Sequence, residues 1–380
     1  GIALALGLLL PLLPLLKKKR ASLSRSALTV PAFALLGCFL VGLAPSADPG
    51  IMHVGVHAAI RSKRTKNAMS RYASKTAEVI FTKDGLNGTV AVVKNRHGRG
   101  ELDLVFAGKW VASTLKSSRT HLHYLGHLPM LLSPKTPQSA VVVGMGAGIT
   151  TGALLTYPQL DRVDLVELEP AVVLAADYFK EFNHAPLSDP RLHLNIEDGR
   201  TFLSFSQKEF DLITSDPIHP WVKGAANLYS LQYYQAAAAH LSREGIFAQW
   251  IPSSISKVSA DAIVRSAAQA FDHLYTYVSN YEVILFASQT PIEPNLEVFK
   301  KRAEALSVTD DLRTVGTSPE RLYSSLKKHL RRQDNVGRNL GPGVKPGQLN
   351  TDDNVFLEHR LPWDYFFDEN FLLRPKKKKM

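Results

Sequence analysis

Three carboxylates in this chain, Glu167, Asp198 and Asp216, each come at the end of a short run that reads as a strand: Arg162–Val166, Arg191–Ile196 and Phe210–Thr214. Upstream of them, Ser139–Val143 breaks into Gly144, Gly146 and Gly148 and then into a helix-compatible segment from Ile149. Glycines there let the backbone turn tightly and come close to a ligand, and the helix start beyond offers free N–H groups. Glu167 stands 19 positions after Gly148. An acid at about that distance, on the tip of the next strand, suits a ribose diol, because a carboxylate can accept two hydroxyl protons at once. The spacing G-x-G-x-G departs from the dinucleotide fingerprint G-x-G-x-x-G and favours an adenosyl ligand without a pyrophosphate.

The elements around these residues alternate. After Glu167, Pro170–Asn183 has helical spacing; Leu231–Leu241 is Ala-rich and helical, and Gly245–Ile251 is a further strand. Strand–helix alternation with polar residues at the strand ends predicts a parallel, doubly wound α/β sheet, which binds ligands at the carboxyl ends of its strands. Gly144–Gly148, Glu167, Asp198 and Asp216 should therefore share one crevice. Ahead of this core, AEVIFT, GTVAVVK, ELDLVFA and KWVAS read as short strands of a small β-domain, with NRHGRG turning the second into the third. Thr120–Leu132 reads as a helix carrying His121, His123 and His127. The last two are four apart, as a metal would require, but no acid or cysteine lies nearby in sequence. They are read as structural histidines, and no metal is expected.

At 380 residues the chain has room for two or three domains, and its single cysteine, Cys38, excludes an intrachain disulfide. The net charge of +11 is uneven: Met130–Thr290 carries 10 Lys/Arg against 16 Asp/Glu, and the basic clusters lie at Lys17–Arg20, Arg61–Lys75, Lys327–Arg338 and Lys376–Lys379. An acidic centre argues against a nucleic-acid groove over the Gly-rich loop; basic ends fit a membrane surface or solvated tails. Gly1–Leu16 is almost wholly apolar and Ala27–Ala44 is a run of 18 residues without a charge, just long enough to span a bilayer. Two membrane segments are expected, with a further one upstream because the chain opens inside an apolar run. A signal peptide is the competing reading, although Pro45 would occupy the −3 position of its cleavage site. Lys17–Arg20 and Arg61–Lys75 pull the topology in opposite directions, so the side of the membrane stays open. Beyond Ala287, Leu296–Leu306 and Glu320–Arg332 look helical and Asn335–Gly347 reads as a loop.

Taken together, VVVGMGAGITTGA, DLVELEP, DPRLHLNIEDGRTFL, FDLITSDPIHPW and GIFAQW resemble the spermidine synthase family of polyamine aminopropyltransferases, over about Ala77–Ala287. KWVAS, RTHLHYLGHLPMLL, HPWVKGAANLY and LNTDDNVFLEHRLP are similar to its bacterial branch fused to transmembrane segments. The resemblance implies a Rossmann-like S-adenosylmethionine-methyltransferase fold preceded by a small β-domain. It implies decarboxylated S-adenosylmethionine, or S-adenosylmethionine itself, as co-substrate, with a small-molecule amine as acceptor. Glu167 matches the acid that holds the ribose hydroxyls, and Asp198, before Gly199, the acid that accepts from the adenine amino group. Asp216 matches the first aspartate of the family's D-x-x-D motif, the base for the incoming amine. A cationic amine must lose a proton before it attacks the carbon beside a sulfonium, and a strand-end carboxylate can orient it and take that proton.

Some positions depart from the family pattern. His219 replaces the second acid of D-x-x-D and joins Asp216 as a candidate catalytic residue. Ser117, Ser118 and His121 stand where the family has Asp, Glu and Tyr, and Val111 where the fused branch carries an acid. Thr351–Asn354 resembles the fused branch, and its two adjacent acids suit a helix cap. The expected organisation is membrane segments over 1–60, a small β-domain and linker helix over 61–135, an adenosyl-binding catalytic domain over 136–290 and a C-terminal helical extension over 291–380. A membrane-anchored aminopropyltransferase is the first reading, in the inner membrane if the source is bacterial, and a homodimer is one expectation for its assembly. A methyltransferase with a non-polyamine acceptor and a catalytically weak adenosyl-binding domain are the alternatives.

Overall fold

In a computed structural model of the chain, residues 77–96, 100–279, 282–333 and 348–367 are described. The expected membrane segments, the Asn335–Gly347 loop and the basic clusters at 17–20, 61–75 and 376–379 lie outside them. Among the described residues no helix is long and apolar enough to cross a membrane.

Strands β1 (Ala77–Asp84), β2 (Thr89–Asn95), β3 (Leu102–Phe106) and β4 (Lys109–Ser113) form an antiparallel meander in sequence order. The β2–β3 pairing makes the expected hairpin. One face of the meander, with Val90, Val92 and Leu104, packs into the main core, while Ala91, Val93 and Val105 form a small cluster of their own. Helix α1 (Lys116–Leu132) leads from it into the second sheet.

That sheet is built from β5 (Ser139–Val143), β6 (Arg162–Glu167), β7 (Leu192–Ile196), β8 (Phe210–Ser215), β9 (Leu241–Ile251), β10 (His273–Ser279), β11 (Glu282–Ser288) and β12 (Leu330–Arg332). Its order is β12-β10-β11-β9-β8-β5-β6-β7. The strands from β7 to β9 are parallel, as the alternation predicts, but β11, β10 and β12 run antiparallel, so the sheet is mixed. The apolar runs of β5, β6 and β8 are buried on both faces, with successive residues going to opposite cores, whereas the edge strand β7 leaves Leu194 and Ile196 exposed. Val142, Leu165 and Leu212 face one cluster; Val141, Val143, Val166 and Ile213 face the other.

The helices that cover the sheet are α2 (Ile149–Leu155), α3 (Pro170–Ala175), α4 (Lys180–Asn183), α5 (Gly199–Phe205), α6 (Leu231–Ala239), α7 (Lys257–Ala268), α8 (Leu296–Arg302), α9 (Leu306–Thr314), α10 (Pro319–His329) and α11 (Phe356–Phe367). The single helix expected over Pro170–Asn183 is broken by a 3₁₀ stretch, Ala176–Phe179. The Asn183 amide donates to the Ala176 carbonyl at 3.0 Å, so a side chain occupies an acceptor that a continuous helix would use. Leu241 leaves the expected helix for β9. Leu330–Arg332 leaves its helix to pair with β10, and the segment expected as one helix from Leu296 ends at Arg302 before α9 begins at Leu306.

Candidate active site

The carboxyl ends of four neighbouring parallel strands, β7, β6, β5 and β8, carry the residues singled out from the sequence. Backbone hydrogen bonds continue past the strands and lock these ends side by side. Gly144 N donates to Val166 O at 2.9 Å, Asp216 N to Val143 O at 2.9 Å, and Glu197 N to Glu167 O at 3.1 Å. Gly144, Gly146 and Gly148 adopt φ of 90°, 52° and 78°, a region that other residues enter only at a cost. At Gly144 a Cβ would also lie 2.6 Å from the Asp216 carbonyl oxygen.

Glu167 is buried, and its carboxylate grips the loop. Oε2 accepts from Met145 N at 2.8 Å and Oε1 from Glu169 N at 2.8 Å. Burial raises its pKa, and these amides oppose the rise. Asp198 caps α5, accepting from Thr201 N at 2.8 Å and from the Thr201 hydroxyl at 3.1 Å through one oxygen, Oδ1. Gly199 is required for packing: a Cβ there would sit 2.3 Å from Val143 Cγ1. Glu169, which the sequence reading did not single out, caps α3 and also accepts from Asn87 N at 3.0 Å, joining the β1–β2 turn to the rim of the loop.

Asp216 follows β8, whereas the Thr150 hydroxyl, in the first turn of α2, donates to the Leu122 carbonyl at 3.2 Å. Burial and the charge of Glu282 push the Asp216 pKa from 3.8 to about 7. Glu282 opens β11, which runs antiparallel to β9 with Val283 opposite Ile251. Its first residue therefore arrives at the same edge as the carboxyl ends of the parallel strands. Trp250 Nε1 donates to Glu282 Oε2 at 2.7 Å, while burial raises the Glu282 pKa.

Glu282 lines a small cavity with Ser117, Thr120, His121, Tyr124 and Tyr277. Ser117 and His121 are among the positions that depart from the family pattern, so the substitutions gather around this cavity. His121 stacks near Trp250 with centroids 6.1 Å apart, and burial depresses its pKa to about 4, leaving the imidazole neutral. His219, three residues after Asp216, packs against Trp221 at 4.5 Å and Trp250 at 4.8 Å. Lys109 of β4 places its ammonium 3.5 Å from the centre of the Trp221 ring.

Beneath α1 the histidines have an acidic partner. Asp311 of α9, remote in sequence, reaches His123 and His127. Thr351–Asn354 is a latch: Asp352 pairs with Arg200, and the Thr351 hydroxyl accepts from Asn354 N at 3.0 Å.

The arrangement combines a Gly-rich strand-end loop with Asp216 beside it and with Glu282 lining a cavity. Residues 120–282 match the family described as "Spermine/spermidine synthase domain". Over that stretch the chain is similar to spermidine synthase domains. It is 28% identical over 179 residues to a polyamine aminopropyltransferase of Alkaliphilus oremlandii, covering 44% of this chain and 62% of that one. It is 30% identical over 179 residues to polyamine aminopropyltransferase 2 of Hyperthermus butylicus, covering 46% and 58%. The chain thus spans about three fifths of the length of these two relatives. It is also 26% identical over 239 residues to a polyamine aminopropyltransferase of Sulfurisphaera tokodaii, covering 60% and 78%. In fold it is similar to a crystal structure of spermidine synthase in complex with the transition-state analogue AdoDATO. The TM-score is 0.52 at 21% identity, covering 66% of this chain and 88% of that one.

Proposed function

We propose that this chain transfers an aminopropyl group from decarboxylated S-adenosylmethionine to a small amine, a reaction of polyamine biosynthesis. The observation that carries the reading is the placing of Asp216 and Glu282 at one sheet edge, close enough for the Glu282 charge to act on Asp216, beside the loop that Glu167 holds. Glu167 would take the ribose hydroxyls and Asp198 the adenine amino group, through the oxygen its cap leaves over. The amine nitrogen attacks the methylene carbon beside the sulfonium. The C–S bond breaks, its electron pair stays on sulfur, and a neutral thioether, methylthioadenosine, departs. The amine proton passes to Asp216.

A carboxylate with a pKa of about 7 in the empty site is well matched to that proton transfer. An arriving ammonium lowers it again, so the base ionises when its substrate is present. Glu282 supplies from another strand the negative charge that position 219 lacks. The cavity it lines, with Tyr124 and Tyr277 at its wall, suits the non-reacting ammonium of the acceptor. Since the sulfonium is already a good leaving group, orientation of the amine carries most of the remaining acceleration.

The test is to incubate the full chain with putrescine and either donor, decarboxylated S-adenosylmethionine or S-adenosylmethionine. Methylthioadenosine formed from the decarboxylated donor is the expected product. S-adenosylhomocysteine in its place would establish methyl transfer, and turnover of neither donor with any diamine or polyamine would leave adenosyl binding alone.

A further inference from the structure

Helix α1 turns two faces to the rest of the molecule. Ser117, Thr120, His121 and Tyr124 line the cavity beside Glu282, while His123 and His127, one turn apart, meet Asp311. Asp311 Oδ2 lies 2.7 Å from His123 Nδ1 and 2.7 Å from His127 Nε2, and all three side chains are at most 1% exposed. The other carboxylate oxygen, Oδ1, lies 2.6 Å from Nε2 of His184, whose side chain is 47% exposed. His127 Nδ1 lies 3.0 Å from the Tyr157 hydroxyl. His184 and Ala185 have φ of 57° and 47°, two successive left-handed residues that are not glycine, so local backbone strain accompanies the placing of the His184 ring.

We propose that His123 Nδ1, His127 Nε2 and Asp311 Oδ2 bind one divalent transition-metal ion, for which zinc is the best chemical fit, with His184 and Tyr157 orienting the ligands from behind. Two imidazoles and one carboxylate are a borderline donor set that zinc favours, whereas magnesium and calcium take oxygen alone and copper(I) prefers sulfur. Metal-bound imidazoles pass their second nitrogen to an oxygen partner, and metal-bound carboxylates are themselves hydrogen-bonded. Tyr157 stands in the first position for His127 and His184 in the second, while Nε2 of His123 is buried without a hydrogen-bond partner among the described residues. A buried carboxylate also needs positive charge. Three imidazoles converge on this one. Binding asks the donors to open from hydrogen-bond contact to about 3.3 Å apart, the separation of tetrahedral ligands on zinc. A small shift of the Asp311 carboxylate supplies it. The half-exposed side at His184 is where water would complete the coordination. So placed, the ion would fasten α9 of the C-terminal helices to the helix that lines the cavity.

The test uses the full chain without a polyhistidine tag, stripped with a chelator and titrated with Zn²⁺ by calorimetry, with metal content read by mass spectrometry. One equivalent per chain and a higher melting temperature are expected, and Co²⁺ in its place should give the strong visible absorption of a tetrahedral site. Asp311→Asn and His127→Gln should lose the equivalent. His184→Asn, which suits the left-handed backbone but is too short to reach Oδ1, should bind the ion about 10–100-fold more weakly. Should the ligand variants not fold, the wild-type stoichiometry and His184→Asn decide. The proposal is overturned if the stripped wild type takes up no full equivalent. It is equally overturned if the folded variants bind zinc as the wild type does.

Discussion

Replacing Asp216 by Asn separates what this carboxylate does for chemistry from what it costs the fold. Its pKa is moved from 3.8 to about 7, first by burial and then by the charge of Glu282. At ~1.36 kcal/mol per unit, holding the anion in the folded chain costs roughly 4 kcal/mol at most. The sign follows from linkage: a carboxyl raised on folding costs nothing below its unfolded pKa, where it is protonated in both states. The cost grows between pH 3.8 and about 7 and is complete above that. Asn keeps the shape without the charge. Asp216→Asn should therefore stabilise the protein by about 2–4 kcal/mol at pH 8 and by nothing measurable near pH 4. Turnover should fall by about 10²-fold or more while affinity for methylthioadenosine holds. Urea unfolding at the two pH values, with initial rates on the same preparations, measures both. A variant no more stable than the wild type at pH 8 would refute the electrostatic reasoning, and one that turns over normally would remove Asp216 from the chemistry.

Glu282→Gln removes the second cause of that pKa rise, so the acid limb of the pH–rate profile should move down by about one pH unit, with a higher KM for diamines; an unmoved limb would uncouple the two carboxylates. Glu167→Ala should weaken methylthioadenosine at least about tenfold by calorimetry, since it removes charge-assisted hydrogen bonds worth roughly 1.5–3 kcal/mol and frees Met145 N from its clamp. Gly144→Ala puts a Cβ 2.6 Å from the Asp216 carbonyl oxygen at φ 90°, and should cost about 1–3 kcal/mol in a denaturant melt along with donor affinity.

The convergence of the proposed donor-side residues was legible in the sequence because each of its signals is local. Three glycines at positive φ, a β-branched run that must be buried and an acid after each strand all follow from the residues beside them. Parallel strands then bring those ends to one edge, as alternation alone implies. Even there, contacts changed the account: the same Asp198 caps α5, and Asn183 breaks a segment whose spacing reads as one helix.

The acceptor side and the histidine cluster were decided by tertiary structure. Glu282 looks like the polar start of an apolar strand, and only the reversal of β11 against β9 delivers it to the carboxyl edge beside Asp216. Asp311 lies 184 residues from His127 along the chain, and nothing in the spacing of α1 announces it. Local pattern determines which face of an element is buried. Which distant charge meets that face depends on strand direction and helix docking, and these are set by the packing of the whole core.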